Sequence, residues 1–313
     1  MEAIRCEGLT KHYGAIAAVD GLNLVIEEGS IFGFLGPNGA GKTTTVRLLT
    51  GLSRPSRGKA WVMGEEVTPT SVSLRSKVGY LPEEPAFYNW MNGREFLIYV
   101  GELFHLPSRE NKKRCDELLE FAGLSEAASR RIGGYSRGMR QRLGLAQALM
   151  NRPKVLFLDE PCSALDPIGR REVLDTILRL KEEATVFMST HILADVERIC
   201  DVVGIIDKGR LVIEERTEEL RDRFAQPIFE LHLEGEAHSI TRLLQSLPWV
   251  AKVEEEHRDN EAVLHIRVSD VITAKRELPK IVAESGLILL HYELMSPSLE
   301  EVFIELVGTR GEE

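Results

Sequence analysis

Residues Gly36-Pro37-Asn38-Gly39-Ala40-Gly41-Lys42-Thr43 carry the spacing GxxxxGK[ST], in which each residue type suits the capture of a nucleoside triphosphate. The glycines let backbone N–H groups turn inward as an anion nest. The Lys42 ammonium then reaches the outer phosphates, and the Thr43 hydroxyl can ligate Mg²⁺. A second group follows at Val155-Leu-Phe-Leu-Asp159-Glu160, four apolar residues running into two carboxylates. Carboxylates at the exit of a buried strand face the ligand edge of an α/β sheet. Asp159 is thereby expected to hold Mg²⁺ through water, and Glu160 to polarise the attacking water as general base. Alone, such a pair is more often a helix cap than a catalyst; the loop upstream is what favours chemistry.

These groups need a scaffold, and residues 1–217 supply alternating strand and helix signals, the pattern of an α/β domain with a largely parallel sheet. Ser30 to Leu35, Val155 to Leu158, Thr185 to Met188 and Val202 to Ile206 are apolar runs of the kind buried on both faces. The phosphate loop sits between the first of them and a helix starting at Thr44. Val173, Leu174, Ile177, Leu178 and Leu180 recur at helical spacing, which predicts a helix covering the sheet. Arg94 to Phe104 and Arg109 to Phe121 are helical with no strand between, so a helical subdomain over about 85–150 is expected within the domain.

Residues 218–225 read as a charged, helical linker. From 226 to 313 the pattern changes to strand, helix, strand, strand, helix, strand, the order of a ferredoxin-like α+β sandwich. Ser298 with Glu301 forms a capping box that would open a terminal helix through Leu306.

Tyr135-Ser136-Arg137-Gly138-Met139-Arg140-Gln141, shortly before Val155 and opening a helix, resembles the signature motif LSGGQ of the ABC ATPase family. The resemblance spans residues 1–217 and implies a P-loop NTPase fold of the ABC type. It also implies that two such domains dimerise head to tail, the signature serine of one meeting the γ-phosphate held by the other. Ser136 and Gly138 match; Tyr135, Arg137 and Met139 depart, although YS(K/R)GM variants occur in the exporter branch. By the same resemblance Tyr13 stacks on adenine, Thr44 joins the phosphate loop, Asp166 in Ser163-Ala-Leu-Asp166 crosses the dimer interface, and His191 contacts the γ-phosphate. Glu83 stands where the family places a glutamine that touches Mg²⁺ and the attacking water. A carboxylate still accepts from metal-bound water there but cannot donate.

The whole chain has 313 residues, 43% apolar side chains and a formal charge of -10 without a basic block, so no footprint for nucleic acid is present. Four scattered cysteines fit reduced thiols in the cytoplasm. No stretch approaches the roughly 20 apolar residues that cross a bilayer, so a membrane role requires a separate permease. Three functions fit these motifs: a transport ATPase at the cytoplasmic membrane face, a non-transport ABC ATPase, and a module that binds ATP without hydrolysis. A single phosphate loop, no room for a long coiled coil between Glu83 and Tyr135, and the presence of Glu160 and His191 favour the first. Glu83, the YSRGM variant and the tail Ser296-Pro-Ser-Leu-Glu-Glu-Val-Phe303 resemble ABC-2 type exporters more than importers. ATP and Mg²⁺ are the expected cofactors. A homodimer and a heterodimer with a paralogous ATPase both remain open.

Overall fold

β1 (Glu2–Tyr13) and β2 (Ile16–Glu27) pair antiparallel, and their register slips repeatedly between Glu2 and His12. Each slip moves the buried residue off strict alternation, which hides both strands from a search for period 2. The structure, a computed structural model, describes residues 1–295 apart from 164, 182, 225–226 and 259–260. The terminal helix expected from Ser298 lies outside the described residues.

β3 (Ile31–Leu35) leads through the glycine-rich loop to α1 (Lys42–Leu49), and β4 (Arg57–Val62) and β5 (Glu65–Glu66) return to pair with β1. α2 (Val72–Lys77) and β6 (Val78–Leu81) precede three helices, α3 (Gly93–Leu103), α4 (Ser108–Phe121) and α5 (Arg137–Ala148). β7 (Val155–Asp159), α6 (Pro167–Leu178), β8 (Thr185–Thr190), α7 (Leu193–Ile199), β9 (Val202–Asp207) and β10 (Arg210–Arg216) complete the first of two compact units, Met1–Thr217.

Two sheets organise that unit. One is the antiparallel sheet β2-β1-β4-β5, which the sequence reading did not resolve. The other has the order β10-β9-β3-β8-β7-β6, parallel except for β10. Every residue of β3, β7 and β8 is buried, as strands covered on both faces must be. Their register aligns Leu35 with Thr190, Asp159 with Ser189, and Leu81 with Leu158. Four chain exits therefore open on one edge: the glycine-rich loop, Glu83, Asp159-Glu160 and His191. Phe187 packs its ring 5.6, 5.3 and 5.7 Å from those of Phe32, Phe34 and Phe157, so β3, β7 and β8 share one aromatic core.

The helical stretch is fixed by its caps. Asn92 and Glu95 form a reciprocal capping box at α3, and Ser136 Oγ accepts from Met139 N–H at the start of α5. Tyr135 is buried beneath α3, its hydroxyl donating to the Ala127 carbonyl at 2.7 Å.

The second unit runs from Glu218 to Glu313. α8 (Thr217–Phe224) occupies the stretch read as a helical linker, with Leu220 fully buried. β11 (Ile228–Glu234), α9 (His238–Gln245), β12 (Val250–Arg258), β13 (Glu261–Val268), α10 (Val271–Ser285) and β14 (Ile288–Met295) build an antiparallel sheet of order β12-β13-β11-β14. This is the ferredoxin-like arrangement. Asp270 caps α10, which continues through Pro279 and stops at Gly286 in the left-handed region (φ 74). Among the described residues no helix is long and apolar enough to cross a membrane.

Because Phe187 ties three strands together, Phe187→Ala is expected to cost about 3–5 kcal/mol. A lowered urea midpoint with an unchanged slope would register it; a midpoint within error of the parent would show that the aromatic cluster does not hold the sheet.

Candidate functional site

α1 begins without a side-chain cap. Its N-cap is Gly41 at φ 111, so the first N–H groups of the helix are left for a ligand. Only glycine fits: a Cβ on Gly41 would stand 2.3 Å from the Ala18 carbonyl oxygen, and one on Gly36 would stand 2.4 Å from that of Ile206. The loop is thus pinned between β2 and β9 by backbone contacts too close for any side chain.

Lys42 is 6% exposed. Its ammonium donates to the carbonyls of Gly36 at 2.8 Å and Pro37 at 3.2 Å, and pairs with Glu160 Oε1 at 3.1 Å. Glu160 is equally hidden and has φ 49, a left-handed backbone for a residue with a side chain. Such strain persists only where surroundings enforce it. Here the Glu160 N–H donates to the Ser189 carbonyl at 3.0 Å. The outcome is a carboxylate held between two nitrogen side chains, Lys42 on Oε1 and His191 Nδ1 at 2.8 Å on Oε2.

Asp159 is almost fully buried. Its Oδ1 accepts from Ser189 Oγ at 2.6 Å and Thr43 Oγ1 at 3.1 Å. Burial pushes its carboxyl above the ordinary value; these two hydrogen bonds oppose that rise, and the Glu160 charge adds to it. The Thr43 hydroxyl and Asp159 carboxylate place hard oxygens together, the donor type that suits Mg²⁺.

Above these groups lies an open cleft of ≈ 390 Å³ lined by Ala18, Asn38, Gly39, Gly41, Lys42, Thr43, Thr44, Glu83, Glu160 and His191. Its volume lies within the range of small-molecule sites. Glu83 stands exposed at the lip. Gly36 and Pro37 contribute through the carbonyls that hold Lys42, and Ala40 is buried behind them.

Other expected residues are not among those lining the cleft. Tyr13 ends β1, half exposed, with the Lys11 ammonium 5.0 Å from its ring centre. Ser136 is the exposed cap of α5, and Asp166 caps α6 by accepting from Gly169 N–H at 3.2 Å. Gly138 faces Gly169, so these two helix starts lie side by side. Arg137 approaches Glu84 at 3.9 Å, both exposed.

Two contributors escaped the sequence reading. Ser189 binds Asp159 through its hydroxyl and Glu160 through its carbonyl. It stands two residues before His191, at the end of the apolar run Thr185 to Met188. Ala18 lies in β2, in the sheet hidden by register slips, and carried no signal.

The family described as "ABC transporter" matches residues 19–163, and that described as "ATP-binding protein DrrA1-3-like, C-terminal domain" matches 216–307. An uncharacterized ABC transporter ATP-binding protein of Bacillus subtilis is 40% identical over 301 residues, 96% of this chain and 98% of the relative. The daunorubicin resistance ATP-binding protein DrrA2 of Streptomyces coeruleorubidus is 36% identical over 99% of this chain and 96% of its own length. The bacitracin transport ATP-binding protein BcrA of Bacillus licheniformis is also 36% identical, covering 97% of both chains. Among solved structures, an ATP-binding subunit of an ABC transporter superposes with TM-score 0.64 at 29% identity, covering 71% of this chain and 93% of that one.

The raised carboxyl of Asp159 has a stability consequence. Its contribution is fully present below the unfolded value and is lost as pH rises through the folded one, so at neutral pH the ionised group costs stability. Asp159→Asn, which keeps an acceptor for Ser189 and Thr43, is expected to raise the nucleotide-free melting temperature at pH 7. That advantage should shrink as pH falls towards the ordinary carboxylate range. A melting temperature unchanged or lowered at pH 7 would contradict it.

Proposed function

This chain belongs to the family of ABC transporter ATP-binding proteins, and from that premise we propose that it binds and hydrolyses ATP to drive an ABC-2 type exporter. The observation that carries the proposal is the Glu160 carboxylate held between Lys42 and His191 beneath an uncapped helix start. The relatives named for daunorubicin resistance and bacitracin transport support export as the direction.

Without nucleotide, the Lys42 charge is engaged by Glu160. A triphosphate seated on the loop offers Lys42 a more highly charged partner, and its ammonium turns to the outer phosphates. Glu160 Oε1 is then left without its cation and is free to accept a proton from the attacking water. His191, still on Oε2, holds the carboxylate in line and reaches towards the γ-phosphate. The strained backbone at Glu160 keeps that oxygen in place. Thr43 and Asp159 are the residues that would hold Mg²⁺. Bound there, the ion would neutralise charge on the transferring phosphoryl group. Glu83, at the lip, would offer a further carboxylate oxygen to the ion's hydration shell.

Ser136, Gly138 and Asp166 are absent from the cleft lining and gather at the starts of α5 and α6. In this proposal they complete the site of a second ATPase chain, identical or paralogous, and Tyr13 stacks on the adenine. Tyr88, Trp90 and Tyr99 form an exposed aromatic group beyond Glu83, with ring centres 6.0 and 5.9 Å from that of Tyr88. Aromatic surface of this kind suits a protein partner, here the membrane permease at the cytoplasmic face.

Glu160→Gln should lower turnover by about 10²- to 10⁴-fold while ATP binding persists and the ATP-bound dimer accumulates; unaltered turnover would remove Glu160 as the base. Lys42→Ala should abolish ATP binding in an equilibrium titration. The ATPase rate per chain should rise with protein concentration or with permease, and a rate indifferent to both would refute the composite site.

A further inference from the structure

The second unit holds five of the eight histidines of the chain, His232, His238, His257, His265 and His291. Two of them converge on one carboxylate. Glu255 and His257 lie two residues apart on β12 and so share a face of the sheet. It is the face of Val253, whose side chain packs in the core with Ile240 and Leu244 of α9. His238 is the first residue of that same helix. One strand and the end of the helix packed on it thus bring three ligating side chains to one point, with their donor atoms all within 4.8 Å of one another.

The distances are informative. Glu255 Oε1 is 3.0 Å from His238 Nδ1 and 3.2 Å from His257 Nε2. Yet this oxygen is buried and accepts no aligned hydrogen bond. An N–H that donated to it would point along the N···O line. A ring nitrogen that ligates a shared ion points at the ion instead, and its line to the next ligand is an edge of the coordination polyhedron. Bonds of roughly 2.0–2.1 Å in a tetrahedron give edges of about 3.3 Å, close to both separations. The two rings are nearly perpendicular, at 81° with centres 5.4 Å apart, so face-to-face stacking does not account for their approach. Nor is the carboxylate a helix cap, because α9 starts at Ala237 without any side-chain bond.

We propose that His238 Nδ1, Glu255 Oε1 and His257 Nε2 form a binding site for a divalent transition ion of the zinc class. Two imidazoles with one carboxylate select such ions over Mg²⁺, which prefers oxygen alone. Both rings are substantially exposed, at 65% and 49%, so the ion has a path in and a fourth position faces water. The ion would clip the start of α9 to β12 and stabilise the unit by its own binding energy. This site is separate from the nucleotide cleft and does not rest on the proposed ATPase reading.

The test uses the untagged full chain, stripped of metal and free of nucleotide. Titration with Zn²⁺, and with Co²⁺ as a coloured probe, should show one saturable site in the micromolar range. Co²⁺ should give the visible band of four-coordinate nitrogen and oxygen ligands, undisturbed by excess Mg²⁺. His238→Gln and His257→Gln should each weaken Zn²⁺ binding by more than roughly tenfold, with metal-free melting unchanged because both rings are exposed. Zn²⁺ should raise the melting temperature of the parent and not that of the double variant. No saturable binding by the parent would overturn the proposal. So would undiminished affinity in the double variant, which would place the ion elsewhere, for instance at Glu230 with His232 and His265.

Discussion

The contact between Lys42 and Glu160, 3.1 Å long and almost closed to water, joins the phosphate loop to the strand that ends in carboxylates. The rest of the candidate site is arranged around it. Burying two charges costs several kcal/mol per ion before their attraction is counted, so such a pair is poor as a source of stability. It is well suited to exchange. When a stronger anion takes the ammonium, the carboxylate left behind is buried, strained at φ 49 and anchored by His191. An interaction that is marginal in the empty protein thus prepares the site for the one that replaces it.

Maintaining that contact needs the parallel register of the central sheet. Asp159 lies opposite Ser189, and Leu35 opposite Thr190. A shift by one residue would move every side chain of the strand to the opposite face of the sheet and separate the loop from its carboxylates. Phe32, Phe34, Phe157 and Phe187 enforce the register from within, since their rings belong to adjacent strands. Ser189 links core to chemistry, with its backbone in β8 and its hydroxyl on Asp159.

The C-terminal unit solves a smaller problem with similar means. Its antiparallel sheet has one face on α9 and α10, and residues two apart on β12 share that face. The same periodicity that buries Val253 brings Glu255 and His257 to His238. Packing of an ordinary βαββαβ sandwich is enough to assemble the three groups.

The loop Gly36 to Thr43, the strand ending in Asp159 and Glu160, and His191 were legible in the sequence because each is local. Their spacing encodes a strand, a turn and a helix start, and fully buried strands appear as unbroken apolar runs. The βαββαβ order was legible for the same reason, from periodicities held within single elements. The antiparallel sheet of β1, β2, β4 and β5 was not, since bulges broke its alternation and its strands join residues far apart in the chain. Nor were Ser189 and Ala18 as parts of the site, or His238 as a neighbour of Glu255. Their roles arise from register and packing between distant segments. Residue types and short spacings state which chemistry is available. Which side chains meet is decided by strand register and helix docking, because only the folded chain brings Thr43 within bonding distance of Asp159, 116 residues away, or His238 beside Glu255.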